Sequence, residues 1–380
     1  MITNEWLVWA MVIGCSGLSI WLANNTKWGK FLGFVNMGLL MGFILTNIGV
    51  APFSDPAYNV VTSYFVPVGI TLMLFKCNLR KLAKCGPKIV GAMVLAILSI
   101  SVVCIVGVMI FPMGDEAAKM AGVALGDFVG NMQTAAGVGV SLGISDVTMG
   151  YFMAATAIPW VAYSILSYMV DKTPIPKFLV SYKDVETGMK LSKEEHEAAL
   201  KEMNSKEVKI DINETAVVIG AAVAIAGVGN WLGEITGFYS IIFYATIGIL
   251  VANFTPIHKY VVNDYLSTLI FAMFMFKTGC GAHISKLASV PISLFLYLIF
   301  IYVASALILI LVSKLIKMPW EYSLMAHMAC IGGPVSTPPL AKVYGWSDLV
   351  LPGIIIAVLG QVVGSYIGVF GASLLTSLGF

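Results

Sequence analysis

Ten apolar runs of about 20 residues set what this chain can fold into. A run of that length crosses a hydrocarbon core of about 30 Å as one helix. The runs fall near 5–23, 31–50, 58–75, 89–111 and 148–170, then near 214–232, 238–254, 262–281, 289–313 and 349–375. Composition agrees: 59% of the 380 residues are hydrophobic, 11% are charged, and the mean hydropathy is +0.91. No water-soluble globular chain tolerates such a surface. The expected class is an all-α polytopic, integral membrane protein. The opening MITNEW lacks a basic region before the first run, so that run reads as a transmembrane helix and not as a cleaved signal. The six cysteines have no metal-ligand spacing, and no disulfide framework is expected.

Two further segments, near 117–146 and 320–347, are apolar but interrupted by GDFVGNMQT and IGGPVSTPP. They either cross as broken helices or turn back as re-entrant hairpins. The positive-inside rule decides between the two. With hairpins and both termini outside, all but three (Lys119, Lys277 and Lys286) of the 22 basic residues lie inside; with crossings the division is 10 inside to 12 outside. The expectation is therefore ten spans plus two re-entrant hairpins, with loop 171–212 cytoplasmic. In that loop Ser192 and Glu195 form a capping-box pattern. The loop reads as a solvated helical linker, or alternatively as a regulatory or partner-binding element.

Laying 129–146 over 331–348 needs no gap. It matches Gly130 with Gly332, Gly143 with Gly345, Ser145 with Ser347 and Asp146 with Asp348, and conservatively Thr134 with Ser336. Upstream, FKCNLRKL at 75–82 falls on CGAHISKL at 280–287. Residues 1–170 and 213–380 thus read as two repeats joined by 171–212. Five spans and one hairpin per repeat make an odd number of crossings, which inverts the second repeat and brings the hairpin tips together from opposite faces. An arm of about 12 helical residues rises about 18 Å, enough to reach the midplane.

Such tips suit ion and solute binding. The N-terminus of each second arm offers free amides to an anionic group, and the C-terminus of each first arm offers carbonyls to a cation. Candidate substrate-binding residues are Gly130, Asn131, Gln133 and Thr134 at the first tip and Gly332, Gly333, Ser336 and Thr337 at the second, with Thr337 capping the second arm and Pro338 and Pro339 in its first turn. Asp127 is the carboxylate deepest in an apolar segment and the leading candidate for coupling Na+ or H+; His327 stands at a roughly corresponding place before the second tip. The plainer alternatives are kinked helices packed through small residues, and polar groups bonded to their neighbours. Lys277 reads as a snorkelling lysine or a counter-charge to solute. Asn36 and Gln361 read as interhelical hydrogen-bond partners.

These motifs carry a resemblance. Ile331 to Pro334, Gly345-Trp346, Leu349 to Gly353, Val358 to Gly360 and Gly364 to Gly368 resemble the YjcL-like family of multispanning membrane proteins of unknown function, and weaker similarity runs over almost the whole chain. That family is similar to the broad group with antiporter and bile-acid-transporter architecture. The resemblance implies a transporter fold, a bacterial inner membrane location and elevator-like movement. The expected function is secondary transport of a small organic anion coupled to Na+ or H+, with sodium/proton antiport without organic solute as the alternative. A membrane scaffold or an intramembrane enzyme ranks lower, since no HExxH pair is present and the four histidines are far apart in sequence; without a P-loop motif, ATP-driven pumping is not expected. No catalytic residue, cofactor or nucleic-acid partner is expected beyond the coupling ion; membrane lipids and a homodimer partner are.

Overall fold

In the computed structural model, residues 2–184, 188–192, 194, 195, 197, 210–282, 284 and 292–380 are described. The first half comprises α1 (Glu5–Asn25), α2 (Lys27–Asn47), α3 (Pro56–Val60), α4 (Val66–Leu74), α5 (Leu79–Lys84), α6 (Pro87–Ile110), α7 (Ala117–Gly130), α8 (Met132–Leu142) and α9 (Asp146–Ser167). The short α10 (Ile175–Phe178) follows. Then come α11 (Ile212–Thr236), α12 (Ser240–Phe254), α13 (Val262–Gly281), α14 (Ile292–Leu315), α15 (Trp320–Val343) and α16 (Val350–Ser377). Among the described residues, seven segments are long and apolar enough to cross a membrane, and Leu32–Asn47 and α12 are shorter apolar helices. The fold is all-α and polytopic, and each expected apolar run is helical over most of its described residues.

Local sequence explains where helices start and deform. Side-chain oxygens of Asn4, Thr26, Asp55, Asn78, Ser145 and Asp211 accept amide protons of the first turns, which otherwise lack partners. Between α3 and α4 the chain widens into a π-turn at Val61–Phe65. Pro67, just beyond, cannot donate to the carbonyl four residues back, and a wider turn accommodates the loss.

Both interrupted segments double back. A methyl group built on Gly126 of α7 would lie 3.3 Å from Cα of Ala135 and 3.0 Å from Val138 of α8. At the open end, Lys119 Nζ donates to the Gly143 carbonyl at 3.0 Å. In α15 the break lies at Gly333 (φ 67°, ψ −166°). A methyl group on Gly353 of α16 would meet Met325 of the first arm at 2.8 Å and Thr337 of the second at 3.2 Å. The ends of this hairpin are tied by Trp320, Tyr344 and Trp346, whose ring centroids are 4.5–5.8 Å apart.

The halves interlock through small residues. α1 and α2 pack on α13 of the other half, while α11 and α12 pack on α4. A methyl group on Gly42 would collide with the Phe276 carbonyl, and one on Gly279 with the Leu39 carbonyl, so α2 and α13 touch backbone to backbone. α16 lies against both hairpins. Its Gly360 and Gly364 face the end of α7: a methyl group on the first would stand 2.5 Å from the Val129 carbonyl oxygen, and on the second 3.0 Å from the Gly130 amide nitrogen. Lipid gives helices no solvent reason to associate, so this close contact carries the packing.

The inter-half loop is docked over part of its length. Val180 accepts from the Trp320 amide at 3.0 Å, and Glu321, buried at the start of α15, accepts from Ser181 Oγ at 2.6 Å and from the Tyr182 amide at 3.0 Å. The expected capping box is present: Glu195 Oε2 accepts from the Ser192 amide at 2.8 Å and Ser192 Oγ from the Glu195 amide at 3.1 Å. The Ser192 amide and Lys84 hold the Glu195 carboxyl below its usual range. The helix expected after it falls mostly outside the described residues.

Gly360→Ala should destabilise the protein by about 1–3 kcal/mol, because a backbone carbonyl cannot move aside as a side chain can. Gly14→Ala, with nothing within 4 Å of the added methyl, should not. Thermal unfolding of both variants in one detergent checks this.

Candidate functional site

The two chain breaks meet. Asn131 separates α7 from α8 with φ 87° and ψ 172°, and Gly333 divides α15 at φ 67° and ψ −166°. A methyl group on Gly333 would run into the Asn131 carboxamide. The gapless alignment of the halves pairs these two residues, and it also pairs Gly143 with Gly345, both at positive φ (59° and 69°). Residues at matching places thus share an unusual backbone conformation, although one break is made by asparagine and the other by glycine.

Such dihedral angles are essentially restricted to glycine, and a side chain held there stores about 1–3 kcal/mol of strain. Asn131 compensates in part by capping. Its Oδ1 accepts from the amides of Gln133 at 2.9 Å and Thr134 at 3.3 Å, while its own amide donates to the Asp127 carbonyl at 2.7 Å. The hydroxyls one turn on behave alike in both hairpins: Thr134 Oγ1 donates to the Gly130 carbonyl and Ser336 Oγ to the Gly332 carbonyl, each at 2.9 Å. The expected tip residues Gly130, Asn131, Gln133 and Thr134 therefore lie together, opposite Gly332, Gly333 and Ser336.

Thr337 requires a correction. The break at Gly333 puts Pro334 in the first helical turn, so Thr337 stands inside the second arm and does not cap it. Glycine at the cap needs no side-chain oxygen, and proline in the first turn has no amide to satisfy. Pro338 and Pro339 consequently fall within the helix. Having no amide protons, they deprive the carbonyls of Pro334 and Val335 of regular partners. Thr337 Oγ1 lies 3.5 Å from the Pro334 oxygen.

Asp127 is buried one turn before the first break, and among the described residues no basic group forms an ion pair with it. It lies near Cys104 of α6 and Tyr302 of α14. His327 is six residues before Gly333 and points elsewhere. Ser305 Oγ donates to the Ile301 carbonyl at 2.6 Å, so it accepts from His327 Nε2–H at 2.9 Å; Nδ1 then accepts from the Tyr163 hydroxyl at 2.7 Å. The histidine thus ties α9, α14 and α15 together. Tyr302 joins the two residues, its ring 4.7 Å from that of Phe128 and 5.2 Å from that of Tyr163.

Three sequence expectations outside the tips also resolve. Gln361 of α16 is buried and turns its amide toward Gln133 Oε1 at 3.5 Å, which makes it a wall of the first tip; its position in an apolar helix was the available signal. Asn36 does not bridge helices through its amide nitrogen, which donates to the Leu32 carbonyl of its own helix at 2.8 Å. Lys277 does not snorkel. It is 3% exposed and pairs with Asp146 at the start of α9. Asp146 lies 131 residues away in the chain, so sequence spacing could not reveal this partner.

Paired hairpins whose breaks meet inside an all-α bundle define a polytopic membrane protein with a polar interruption at its core. The family model described as a protein of unknown function, DUF819, matches residues 10–378, and the chain belongs to that family. An uncharacterized membrane protein of Bacillus subtilis (strain 168), YjcL, is 22% identical over 392 residues, covering 97% of this chain and 96% of that one.

Asn131→Gly should raise the unfolding free energy, since it releases about 1–3 kcal/mol of strain against a few tenths lost from the cap. Gly333→Ala should lower it, because the methyl both strains the backbone and strikes Asn131. Denaturation of the two variants beside wild type decides the sign in each case.

Proposed function

We propose that the protein is a secondary active transporter that couples movement of a small organic anion to Na+ or H+. The observation that carries this reading is the meeting of two helix breaks, Asn131 and Gly333, beside a buried carboxylate. Broken backbone in a bilayer is sustainable only where protein or a polar cavity satisfies it, and here each break leaves ligand-binding groups. The positive ends of α8 and of the second arm of α15 suit an anionic group, through the first-turn amides that Asn131 Oδ1 does not take. The carbonyls that end α7 and the first arm suit a cation.

The shared backbone conformation at aligned positions supports reading 1–170 and 213–380 as inverted repeats, with both termini outside and loop 171–212 cytoplasmic. In this reading α1, α2, α11 and α12 form a panel, and the hairpin bundle of α6–α8 and α14–α16 moves against it. The bacterial inner membrane is its location. A cation at the tips needs no further protein cofactor, and the chain acts as a carrier and not as an enzyme.

Asp127 favours a second reading, sodium/proton antiport. A carboxylate buried in a span without a basic partner is expensive and characteristic of ion or proton sites. Its neighbour Tyr302 stands next to Tyr163, which bonds His327, and this row of polar side chains supports the second reading.

Unfolding midpoints of purified protein in Na+ against choline, at two pH values and with a panel of small carboxylates, test both readings. A ligand at 100 times its Kd adds about 2.7 kcal/mol. The anion symporter requires a carboxylate-dependent rise that needs the cation and disappears in Asp127→Asn. Proton-linked cation exchange in liposomes that is abolished by Asp127→Asn, with no solute raising the midpoint, establishes the antiporter instead. Midpoints indifferent to every ion and solute, together with no exchange, would sink both.

A further inference from the structure

Away from the tips, two adjoining cavities open between α9, α10, α14 and α15. The larger, of about 470 Å³, is lined mostly by apolar side chains, among them Leu166, Val303 and Leu307, with polar groups from Tyr163, Ser167, Tyr302, Ser323 and His327. Its size falls in the range of ligand pockets, about 300–1,000 Å³. Leu166 is 65%, Val303 53% and Leu307 55% exposed on the flank of the bundle, where lipid stands. The smaller, of about 380 Å³, shares Leu179 with the first and is lined by Lys177, Lys314 and Lys317 with Ser313.

The lysines stand where α14 ends, at the level of the Trp320, Tyr344 and Trp346 cluster. Aromatic side chains gather at that depth of a membrane protein, beside the headgroups. Lys314 Nζ donates to the Phe178 carbonyl at 2.6 Å and lies 4.6 Å from the centre of the Phe178 ring. This pins α10 over the end of α14 and leaves two of its three protons free. Among the described residues no carboxylate forms an ion pair with Lys177, Lys314 or Lys317. Glu321, in the first turn of α15, is taken up by Ser181 and Tyr182.

We propose that these joined cavities hold one anionic phospholipid, its phosphate against Lys177, Lys314 and Lys317 and an acyl chain in the apolar space beyond Leu179. Charge and continuity argue for it together. A free anion would satisfy the lysines but leave the apolar cavity unfilled, and a neutral lipid would fill the cavity but leave three cations without a counter-charge. Basic pockets between helices are an established setting for anionic headgroups. The bound lipid would fill the space between α9 and the second hairpin, on the side opposite α16.

Native mass spectrometry of the full chain in detergent tests this, with dioleoyl phosphatidylglycerol, dioleoyl phosphatidylcholine and glycerol 3-phosphate as probes. One phosphatidylglycerol should be retained per chain in preference to phosphatidylcholine, and glycerol 3-phosphate should compete poorly. Each lysine near an anionic headgroup is worth about a fivefold change in affinity, so Lys177→Gln with Lys317→Gln should weaken retention about 25-fold. Ala306→Trp, which fills the apolar cavity, should weaken it with all three lysines intact. Equal retention of the two lipids overturns the proposal. So does full competition by glycerol 3-phosphate, which would mark a simple anion site, or a lipid-free dimer closed over the cavity. Should Ala306→Trp fail to fold, the lysine pair, which lies on the protein's edge, still decides.

Discussion

Backbone hydrogen bonding under exclusion of water governs this molecule. In hydrocarbon an unpaired amide or carbonyl costs several kcal/mol, so a chain this apolar is helical almost everywhere and can break only where something else supplies the bonds. The breaks at Asn131 and Gly333 pack against each other. The asparagine side chain caps its own helix and also packs on the glycine turn opposite, and hydroxyls at Thr134 and Ser336 close the turns that follow. Neither hairpin can be moved far without exposing the other's polar groups.

Small residues let the rest of the bundle serve those breaks. Gly360 and Gly364 bring α16 onto the end of α7 closely enough for Gln361 to reach Gln133. Gly42 and Gly279 lock α2 to α13 across the halves. Such contacts replace the solvent-driven association that a soluble bundle would have. Buried polar pairs then fix helix positions: Lys277 with Asp146 holds the start of α9, and the Tyr163, His327 and Ser305 chain holds its far end against α14 and α15.

The two hairpins are alike in backbone but not in surroundings. α16 lies along both of them, whereas α9, which follows the first hairpin as α16 follows the second, packs chiefly on α13 and α14. The cavity with Tyr163 and His327 occupies the space that this difference leaves. A docked stretch of the inter-half loop, through Val180, Ser181 and Tyr182, closes over the start of α15 at the same side. The linker is thus part of the wall around the second hairpin.

Sequence alone determined the helical class, the places of the apolar helices, the two interruptions and the pairing of Gly130 with Gly332, Thr134 with Ser336 and Gly143 with Gly345. All of these follow from local pattern: run length, breaker residues and self-similarity. The residue that starts the second arm lies four positions before the expected Thr337, because threonine and adjacent prolines make a better cap in isolation than a glycine followed by Pro334. Only the tertiary structure decided that Asn131 faces Gly333, that Gln361 borders the first tip, that Lys277 meets Asp146 and that His327 turns toward Tyr163 and Ser305. Those partners lie 22 to 228 residues apart. In a helix bundle, which face meets which neighbour depends on backbone approach at glycines, and that geometry leaves no periodic trace in a chain that is apolar all round.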